Sequence, residues 1–552
     1  MVIFNDSKIK SFKIKLISSK SDIYKQLILT LLTNTSTMSL KRILLLTSIM
    51  VMTVACNKEP INNDGDQALT TYMSVVVDLS QGTKELTRSE DNTVHNPAGH
   101  WEGRDKINGV DIYVVDATTG KVYSKSVELT NTPDANTDGK YVSPAWKAEP
   151  KVSVDIYVVL NNGGEIRTKL NNAAALGKAA FEEAYKKAYT YTMSDYAVMG
   201  TSNDVILMSA MPLKGQEIKD GVTQAQATIS GAPNATYNQF ALSARRSAAR
   251  VSVTKSVAVG TVANIVSGTI TYGTLTNFKW TYGQYERKTH LLWDTSATVT
   301  PASSLLHYTT KSPSWSYVTN GDYATQAALN YDYTQVNDVA SLKVINELPG
   351  SGNVVTNIVT HGNMQFLTET THQYGAAGVT GYRKGNTPYV MVEAVFVPHA
   401  DLWATPAEQA AHTAGSTKDV FYNTYNGKFY ASDENAKADG VAPTLPPGGD
   451  GVIKYAGGKV YYFAWINPDN VSFAEVLNSP VLRNNIYNIN INSFGKIGFS
   501  GNPYNPTPGN PLPVDKDDIV PSPDELLSAK ETYMSTEITV INWGVHSYNV
   551  DF

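Results

Sequence analysis

The fold is decided by a short stretch near the start of the chain, Thr-Tyr-Met-Ser-Val-Val-Val-Asp-Leu at residues 71–79. A second stretch near the other end, Thr-Tyr-Met-Ser-Thr-Glu-Ile-Thr-Val at residues 532–540, repeats its first four residues. Alternate residues of a strand share a face, so the two stretches present similar faces, made by Met73, Val75, Val77 and Leu79 and by Met534, Thr536, Ile538 and Val540. The repeat indicates two strands that could fill the same groove, one of them supplied by another molecule. The alternatives are chance and two ordinary strands of one sheet, because the same residue types are enriched in any strand.

The composition of the 552-residue chain favours an extracellular, β-rich protein. Charged residues make up 17% of it, below the usual quarter, whereas Tyr (32) and Gly (39) are abundant. The net charge of −5 provides no basic surface, so no nucleic-acid partner is expected. The single cysteine, Cys56, excludes an intramolecular disulfide and a zinc site built from cysteines.

Residues 38–56 resemble the export signal of a lipoprotein. A short basic segment precedes an apolar run at 43–55, which is shorter than the roughly 20 residues that a permanent membrane span needs. Ala55 stands directly before Cys56, so Cys56 is predicted to carry the lipid, including palmitate, and to begin the exported chain. A plain signal peptide with an incidental cysteine is the alternative. Residues 1–55 are therefore expected to lie outside the fold, with 1–37 either an upstream misreading or a long basic leader.

The middle of the chain predicts a loop followed by many strands. Residues 80–100 are polar and predict an exposed loop, where proteolysis concentrates, and Arg88-Ser89 lies at its centre. Apolar runs bounded by turn residues predict strands at 107–115, 152–160, 389–397, 460–466 and 485–491. One helix is predicted at 172–189, with Leu176, Ala180, Phe181 and Ala184 on one face. Because strands dominate, β-sandwiches are expected.

The end of the chain has an unusual order of segments. Residues 501–523 contain seven prolines among Asn, Gly and Asp, which predicts an extended spacer rather than a strand or a helix. A β-like segment at 532–552 follows this spacer. A strand placed beyond a spacer is suited to reach a partner molecule.

The sequence contains no recognisable catalytic motif, so no enzymatic activity, cofactor or metal is expected. The nine histidines are scattered, and neither a Gly-x-Ser-x-Gly elbow nor a phosphate-binding loop occurs. Residues 134–139 resemble half of a calcium-binding loop, but Ala145 stands where a Glu is needed, so a polar turn is the simpler interpretation. Arg245, Arg246 and Arg250 are interpreted as a solvated strand face.

Several longer stretches carry a resemblance to a known family. They lie at residues 99–107, 382–390, 462–468, 478–487 and 543–552. The most specific is the last, Trp-Gly-Val-His-Ser-Tyr-Asn-Val-Asp-Phe. On these stretches the chain is similar to the Bacteroidales fimbrillins, or type V pilins, and among them to the major shaft subunits of the short (minor) fimbriae of Porphyromonas.

The resemblance implies a mainly β fold of two transthyretin-like β-sandwich domains, with few short helices and a C-terminal donor-strand extension. Mapped onto this chain, the N-terminal domain covers 89–255 and the C-terminal domain 256–500. The Pro-rich spacer then covers 501–531 and the donor segment 532–552.

The resemblance also implies maturation by an arginine-specific protease in the loop after the first strand. The cut falls best between Arg88 and Ser89, whereas a lysine-specific protease would cut at Lys84. The propeptide 56–88 then carries the displaced strand, represented by Tyr72, Met73, Val75, Val77 and Leu79. The vacated groove receives the donor strand of another subunit, represented by Met534, Thr536, Ile538, Val540, Trp543, Tyr548, Val550 and Phe552.

The expected function is that of a structural shaft subunit of a cell-surface fimbrium, which polymerises by protease-activated donor-strand exchange and supports adhesion and biofilm formation. Expected partners are further copies of the chain, accessory tip and anchor subunits, the maturation protease, and host or bacterial surface receptors. The precursor is expected to be a lipoprotein of the outer membrane. A tip adhesin or ligand-binding surface lipoprotein of the same fold is the alternative. A secreted carbohydrate-active enzyme would need a cleft with paired carboxylates.

Overall fold

The computed structural model describes residues 69–78, 97–101, 103–128, 140–186, 188–190, 193–292, 331–370, 387–440, 451–466, 481, 483–501 and 534–543. The chain divides into the units Met1–Ala68 and Leu69–Phe552, and every described residue belongs to the second unit. Within the described ranges no helix is both long and apolar enough to cross a membrane.

The described residues are mainly β structure, as predicted. The first strands, β1 to β13, are Thr71–Asp78, Pro97–Trp101, Gly109–Asp116, Val122–Glu128, Lys140–Val142, Trp146–Ala148, Lys151–Leu160, Ala188–Thr190, Ala197–Val198, Val205–Ile206, Met208–Ala210, Leu213–Ile218 and Gln239–Arg246. The later strands, β14 to β29, are Ala249–Ser256, Ala263–Ser267, Ile270–Gly283, Tyr285–Glu286, Lys288–His290, Tyr331–Asp332, Lys343–Val344, Glu347–Leu348, Gln365–Leu367, Tyr389–Pro398, Val420–Asn423, Lys428–Tyr430, Val452–Tyr455, Lys459–Trp465, Asn485–Phe494 and Met534–Trp543.

Short helices connect the strands. The α-helices α1 to α8 are Gly164–Ala175, Lys178–Lys186, Met193–Tyr196, Gln224–Ala227, Thr334–Asn337, Val354–His361, Pro406–Ala414 and Asp433–Ala438. Single 3-10 turns occur at Ala235–Tyr237, Val339–Ser341, Ala400–Leu402 and Ala456–Gly458.

The single helix predicted at 172–189 is wrong in its extent. Two helices, α1 and α2, meet at Gly177, whose φ of +99° is a conformation that glycine adopts without steric cost. Phe181 is buried, but Leu176 lies at the end of α1 and is 80% exposed, while Tyr189 belongs to strand β8. The sequence prediction missed the break between α1 and α2, because the surrounding residues are Ala-rich and Gly177 is the one residue that indicates it.

The first large sheet has the strand order β4-β3-β7-β11-β13-β1-β5, with β12 added to β7 and β6 added to β1. Most of its neighbours are antiparallel, but β1 runs parallel to β13. Together with α1 and α2 this sheet encloses an apolar core whose members include Met73, Ile112, Ile156, Phe181 and Leu242. The earliest described strand, β1, therefore lies inside the sheet rather than at its edge.

The second large sheet has the order β2-β29-β28-β15-β16-β23-β27, and β14 pairs with β28. It surrounds a second core whose members include Val253, Trp280, Val392, Tyr462 and Ile489. The first sheet's last strand, β13, ends at Arg246, and β14 of the second begins at Ala249. The domain limits 89–255 and 256–500 remain predictions, because side chains of the second half, such as Phe366, also pack into the first core.

Candidate assembly site

Strand β1 is hydrogen-bonded along both of its edges. Residues 74–78 pair with 239–243 of β13 on one side, and β5 and β6 pair with β1 on the other. Beyond the strands, Tyr72 N–H donates to Val222 O over 3.0 Å, and Ser143 N–H donates to Val75 O over 2.9 Å. Removal of β1 would leave two facing rows of backbone groups without partners, which is a strong template for another strand.

The inner face of β1 belongs to the first core. Met73, Val75 and Val77 are at most 1% exposed, and they pack in the same apolar cluster as Phe240 and Leu242 of β13. Complete burial of a side chain of this size contributes about 1.5–3 kcal/mol. The strand therefore stabilises the core along which it lies, and its loss would open an apolar groove.

The outer face of β1 is covered as well, which the sequence did not indicate. Ser74 is fully buried, and its Oγ donates to Ala227 O of α4 over 2.5 Å. Val76 is 3% exposed, yet its cross-strand neighbour Ala241 is exposed. The outer face is thus closed at Ser74 by α4 and lies close to solvent around Val76.

The start of β1 is bound by the side-chain amide of Asn238. Its Nδ2 donates to Thr71 Oγ1 over 3.1 Å and to Tyr72 O over 3.0 Å. The same Nδ2 lies 2.9 Å from Lys219 O, and its Oδ1 accepts a bond from Lys219 N–H over 2.8 Å. Asn238 has a φ of +54°, a left-handed conformation that Asn tolerates better than most residues. A lone Asn in a polar loop carries no signal of this role in the sequence.

The C-terminal strand β29 lies in the second sheet. Its backbone forms nine antiparallel pairs with β28, from Asn485 opposite Asn542 to Phe494 opposite Met534. On its other side it runs parallel to β2. The structure thus places the predicted donor positions Met534, Thr536, Ile538, Val540 and Trp543 in the chain's own second sheet, apart from β1 in the first.

Several predicted site residues lie outside the described residues. These are the lipidation site Cys56, the cleavage site Arg88 and Ser89, the strand residue Leu79, the donor residues Tyr548, Val550 and Phe552, and the calcium-like turn at 134–139. Their roles remain predictions.

The arginine cluster at 245–250 is buried, so its interpretation as a solvated strand face is wrong. Arg250 is fully buried and contacts Asp204, which also accepts a bond from Arg104 Nε over 2.9 Å. Arg246 pairs with Asp105 in the same way. Burial lowers the pKa of Arg250 to about 10, while the nearby Asp204 carboxylate opposes this shift, so the guanidinium stays charged at neutral pH. The aspartates are too distant in sequence to have been recognised as partners.

The buried arginines also connect to the strand that borders β29. The Arg250 guanidinium carbon lies 5.4 Å from the ring centre of Trp101 and 4.5 Å from that of Phe366. Trp101 is the last residue of β2, whose backbone pairs with β29. A continuous set of contacts therefore joins Asp204 to the place where the C-terminal strand lies.

Comparison with known proteins identifies the family. Residues 453–549 match the family model described as the C-terminal part of fimbrillin, major fimbrial subunit protein type IV. Two sequences of the minor fimbrium subunit Mfa1 of Porphyromonas gingivalis are each 32% identical to this chain, over 551 and 545 residues, and each alignment covers 93% of this chain and 100% of the relative. The chain belongs to the fimbrillin family. This fimbrillin is a fimbrial subunit of the cell surface, and its relatives are structural proteins rather than enzymes.

Solved structures with related folds are more distant from this fimbrillin. A fimbrilin (fimA) of Porphyromonas gingivalis has a TM-score of 0.37 and 14% identity, covering 87% of this chain and 99% of that one. The tip fimbrial protein Mfa3 of the same organism has a TM-score of 0.33 and 13% identity, covering 77% and 97%. At these scores the structural likeness adds nothing to the sequence relationship.

Proposed function

We propose that this fimbrillin is a shaft subunit that polymerises by protease-activated donor-strand exchange. In this cycle an arginine-specific protease cuts between Arg88 and Ser89, β1 leaves its groove, and residues 532–552 of a neighbouring subunit take its place. The observation that carries the proposal is the position of β1. It is the earliest described strand, yet it lies inside a sheet with both edges paired and its inner face in the core.

The physics of strand addition supports this cycle. An extended segment that joins an open sheet gains main-chain hydrogen bonds along its length and places alternate side chains in pockets. Before the cut, β1 is part of the same chain as its groove, so its effective concentration there excludes a competitor. One cut after β1 removes this advantage, and proteolysis then acts as an irreversible switch for assembly.

The proposed maturation also explains the order of the N-terminal features. Cys56 would carry the lipid that holds the precursor at the outer membrane, and it lies on the same side of Arg88 as β1. A single cut would therefore release the subunit from its lipid and open its groove together. Labelling of the precursor with radioactive palmitate, and loss of the label in Cys56→Ser, would test this step.

The finished fibre is proposed to carry accessory tip and anchor subunits, to bind host or bacterial surface receptors, and to support adhesion and biofilm formation. The relatives support the fimbrial setting, since they are named as minor fimbrium subunits. Loss of adhesion and biofilm in cells that carry a polymerisation-defective chain would test this part.

N-terminal sequencing of protein from sheared surface fibres tests the central claim. We expect the sequence to begin at Ser89. Fibres whose subunits begin at Cys56 would still contain β1, and the strand-exchange mechanism would then be wrong.

A tip adhesin or ligand-binding surface lipoprotein is the second candidate. It is favoured by the pairing of β29 inside the chain's own sheet, because a tip subunit does not need to donate a strand. Immunogold labelling distinguishes the two functions. Labels along the whole fibre support a shaft subunit, whereas labels confined to fibre ends support a tip.

A further inference from the structure

The two hydroxyl groups at the start of β1 are held on opposite faces of the strand. Thr71 Oγ1 donates to Lys219 O over 2.7 Å and accepts a bond from Asn238 Nδ2 over 3.1 Å. Ser74 Oγ donates to Ala227 O over 2.5 Å. Thr71, Ser74 and Asn238 are all completely buried. Thr71 Oγ1 also accepts a bond from Val222 N–H over 3.1 Å. An apolar side chain at Thr71 would therefore deprive this buried amide of that bond, and one at Ser74 would do the same to Ala227 O.

The C-terminal segment repeats this pair of hydroxyls at the same spacing. When the two stretches are aligned on Thr-Tyr-Met-Ser, Thr532 corresponds to Thr71 and Ser535 to Ser74. We propose that these two side chains fix the register in which the donor strand enters the groove of the next subunit. They would form hydrogen bonds at the positions around Asn238 and Ala227. This assignment rests on the proposed function, because it describes how the exchanged strand is recognised.

A displaced register satisfies neither hydroxyl position. A slip of one residue would turn the apolar residues of the donor to the outer face. A slip of two residues keeps the faces but moves Thr532 and Ser535 away from their partners. The remaining inner positions, Thr536 and Ile538, replace Val75 and Val77 with side chains of similar size. Apolar alternation thus selects the face, while the hydroxyl pair selects the position along the groove.

The least conservative difference between the two stretches is a Glu in the place of a Val, and it lies on the outer face of the strand. In the proposed register Glu537 takes the place of Val76, on the outer face. Val76 itself is only 3% exposed, but it lies opposite Ala241, which is exposed, so the longer side chain of Glu would extend its carboxylate past the buried position to water. The opposite arrangement, with Glu537 on the inner face, would bury a charge in the apolar core.

Disulfide formation in surface fibres measures the register directly. Neighbouring strands lie about 4.8 Å apart, within the range that a disulfide spans, whereas a two-residue slip separates the same positions by about 8 Å. Full-length chains would carry Ala241→Cys with Glu537→Cys, or as matched controls Ser243→Cys with Glu537→Cys or Ala241→Cys with Thr539→Cys. After oxidation, non-reducing gels show covalent ladders, and mass spectrometry identifies the joined peptides.

A ladder from the Ala241→Cys, Glu537→Cys pair alone is expected. A ladder from either control pair instead would overturn the register and leave strand exchange intact. Intact fibres in which none of the three pairs becomes linked would overturn strand exchange itself, and this proposal with it.

Peptide binding provides a second measurement that does not need the variants to fold or assemble. The full-length wild-type chain is first treated with an arginine-specific protease, and a synthetic peptide of residues 530–545 is then titrated into it. Thr532→Val and Ser535→Ala in the peptide should each weaken binding roughly fivefold, whereas Glu537→Gln should leave it within about twofold. Equal affinities for all four peptides would refute the register, and absence of binding by the wild-type peptide would count against strand exchange.

Discussion

The first and last described strands both contain the Met-Ser pair of the repeated stretch, but they have different surroundings. β1 runs parallel to β13 inside the first sheet, whereas β29 runs antiparallel to β28 inside the second. Both are paired on two sides. The difference teaches that a strand-like sequence specifies which side chains share a face, while its neighbours and their direction depend on the groove that receives it. For exchange, β29 would give up β28 and β2, and it would take β13 as its parallel neighbour and β5 and β6 as its antiparallel neighbours.

Deletion of residues 532–552 should have the largest effect, because it removes the donor and leaves β1 in its groove. We expect folded monomers and no fibres. Electron microscopy and native gels measure fibre formation, and circular dichroism measures folding. The substitution Glu537→Gln serves as a control and should leave fibres intact. Fibres of normal length from the deletion variant would show that the last strand is not the link between subunits.

Arg88→Ala should keep β1 attached and reduce polymer at least tenfold, because the resident strand then competes from within the same chain. Lys84→Ala is the matched control and should polymerise normally. Western blots of surface protein distinguish precursor from mature chain. If Lys84→Ala blocked assembly and Arg88→Ala did not, the protease would be lysine-specific.

Asp204→Asn should destabilise the chain by about 3–5 kcal/mol, because Arg250 is left buried without its counter-charge. Because Arg250 contacts Trp101 of β2, which pairs with β29, the destabilisation should be larger in β2 and β29 than in β1. Hydrogen exchange should therefore accelerate more at 97–101 and 534–543 than at 71–78. Asp433→Asn, which breaks an exposed pair with Lys437, should cost less than about 0.5 kcal/mol. Equal acceleration in all three strands would contradict this order.

Val77→Ala should have the smallest effect, a destabilisation of the precursor by about 2 kcal/mol in urea unfolding, because a fully buried side chain is truncated. Val152→Ala, at a position that is 79% exposed, is the control and should be nearly neutral. Mature fibres should not be affected by Val77→Ala, since β1 is absent from them. Fibres weakened by this substitution would indicate that β1 remains in place.

Much of the fold could be predicted from the sequence because several strands are recognisable from their own residues alone. The expected strands at 152–160 and 389–397 differ from β7 and β23 by one residue at one end. Continuous apolar runs closed by turn residues such as Asn161 and Pro398 define them without reference to the rest of the chain.

The parts that could not be predicted depend on partners distant in sequence. Asn488 of β28 is fully buried, and its side-chain amide accepts a bond from Ser252 Oγ and donates one to Thr254 Oγ1, two residues that lie far away in the sequence. Arg250 looked solvated for the same reason, since Asp204 is recognisable as its partner only after folding. At the candidate site, the inner face of β1 followed from alternation, whereas the role of Asn238 needed the loop at 219–239 in place.

The parallel pairing of β1 with β13 has a mechanical consequence for a fibre joined through this groove. A donor strand in that position would be pulled along its own axis when the fibre is stretched. Its hydrogen bonds to β5 and β6 would lie across the direction of the pull, and those to β13 would be slanted to it, so all of them share the load and fail together. Bonds opened one after another, as when a strand is peeled from its end, yield to a much smaller force. Insertion between two strands therefore suits a joint that has to withstand shear at the cell surface.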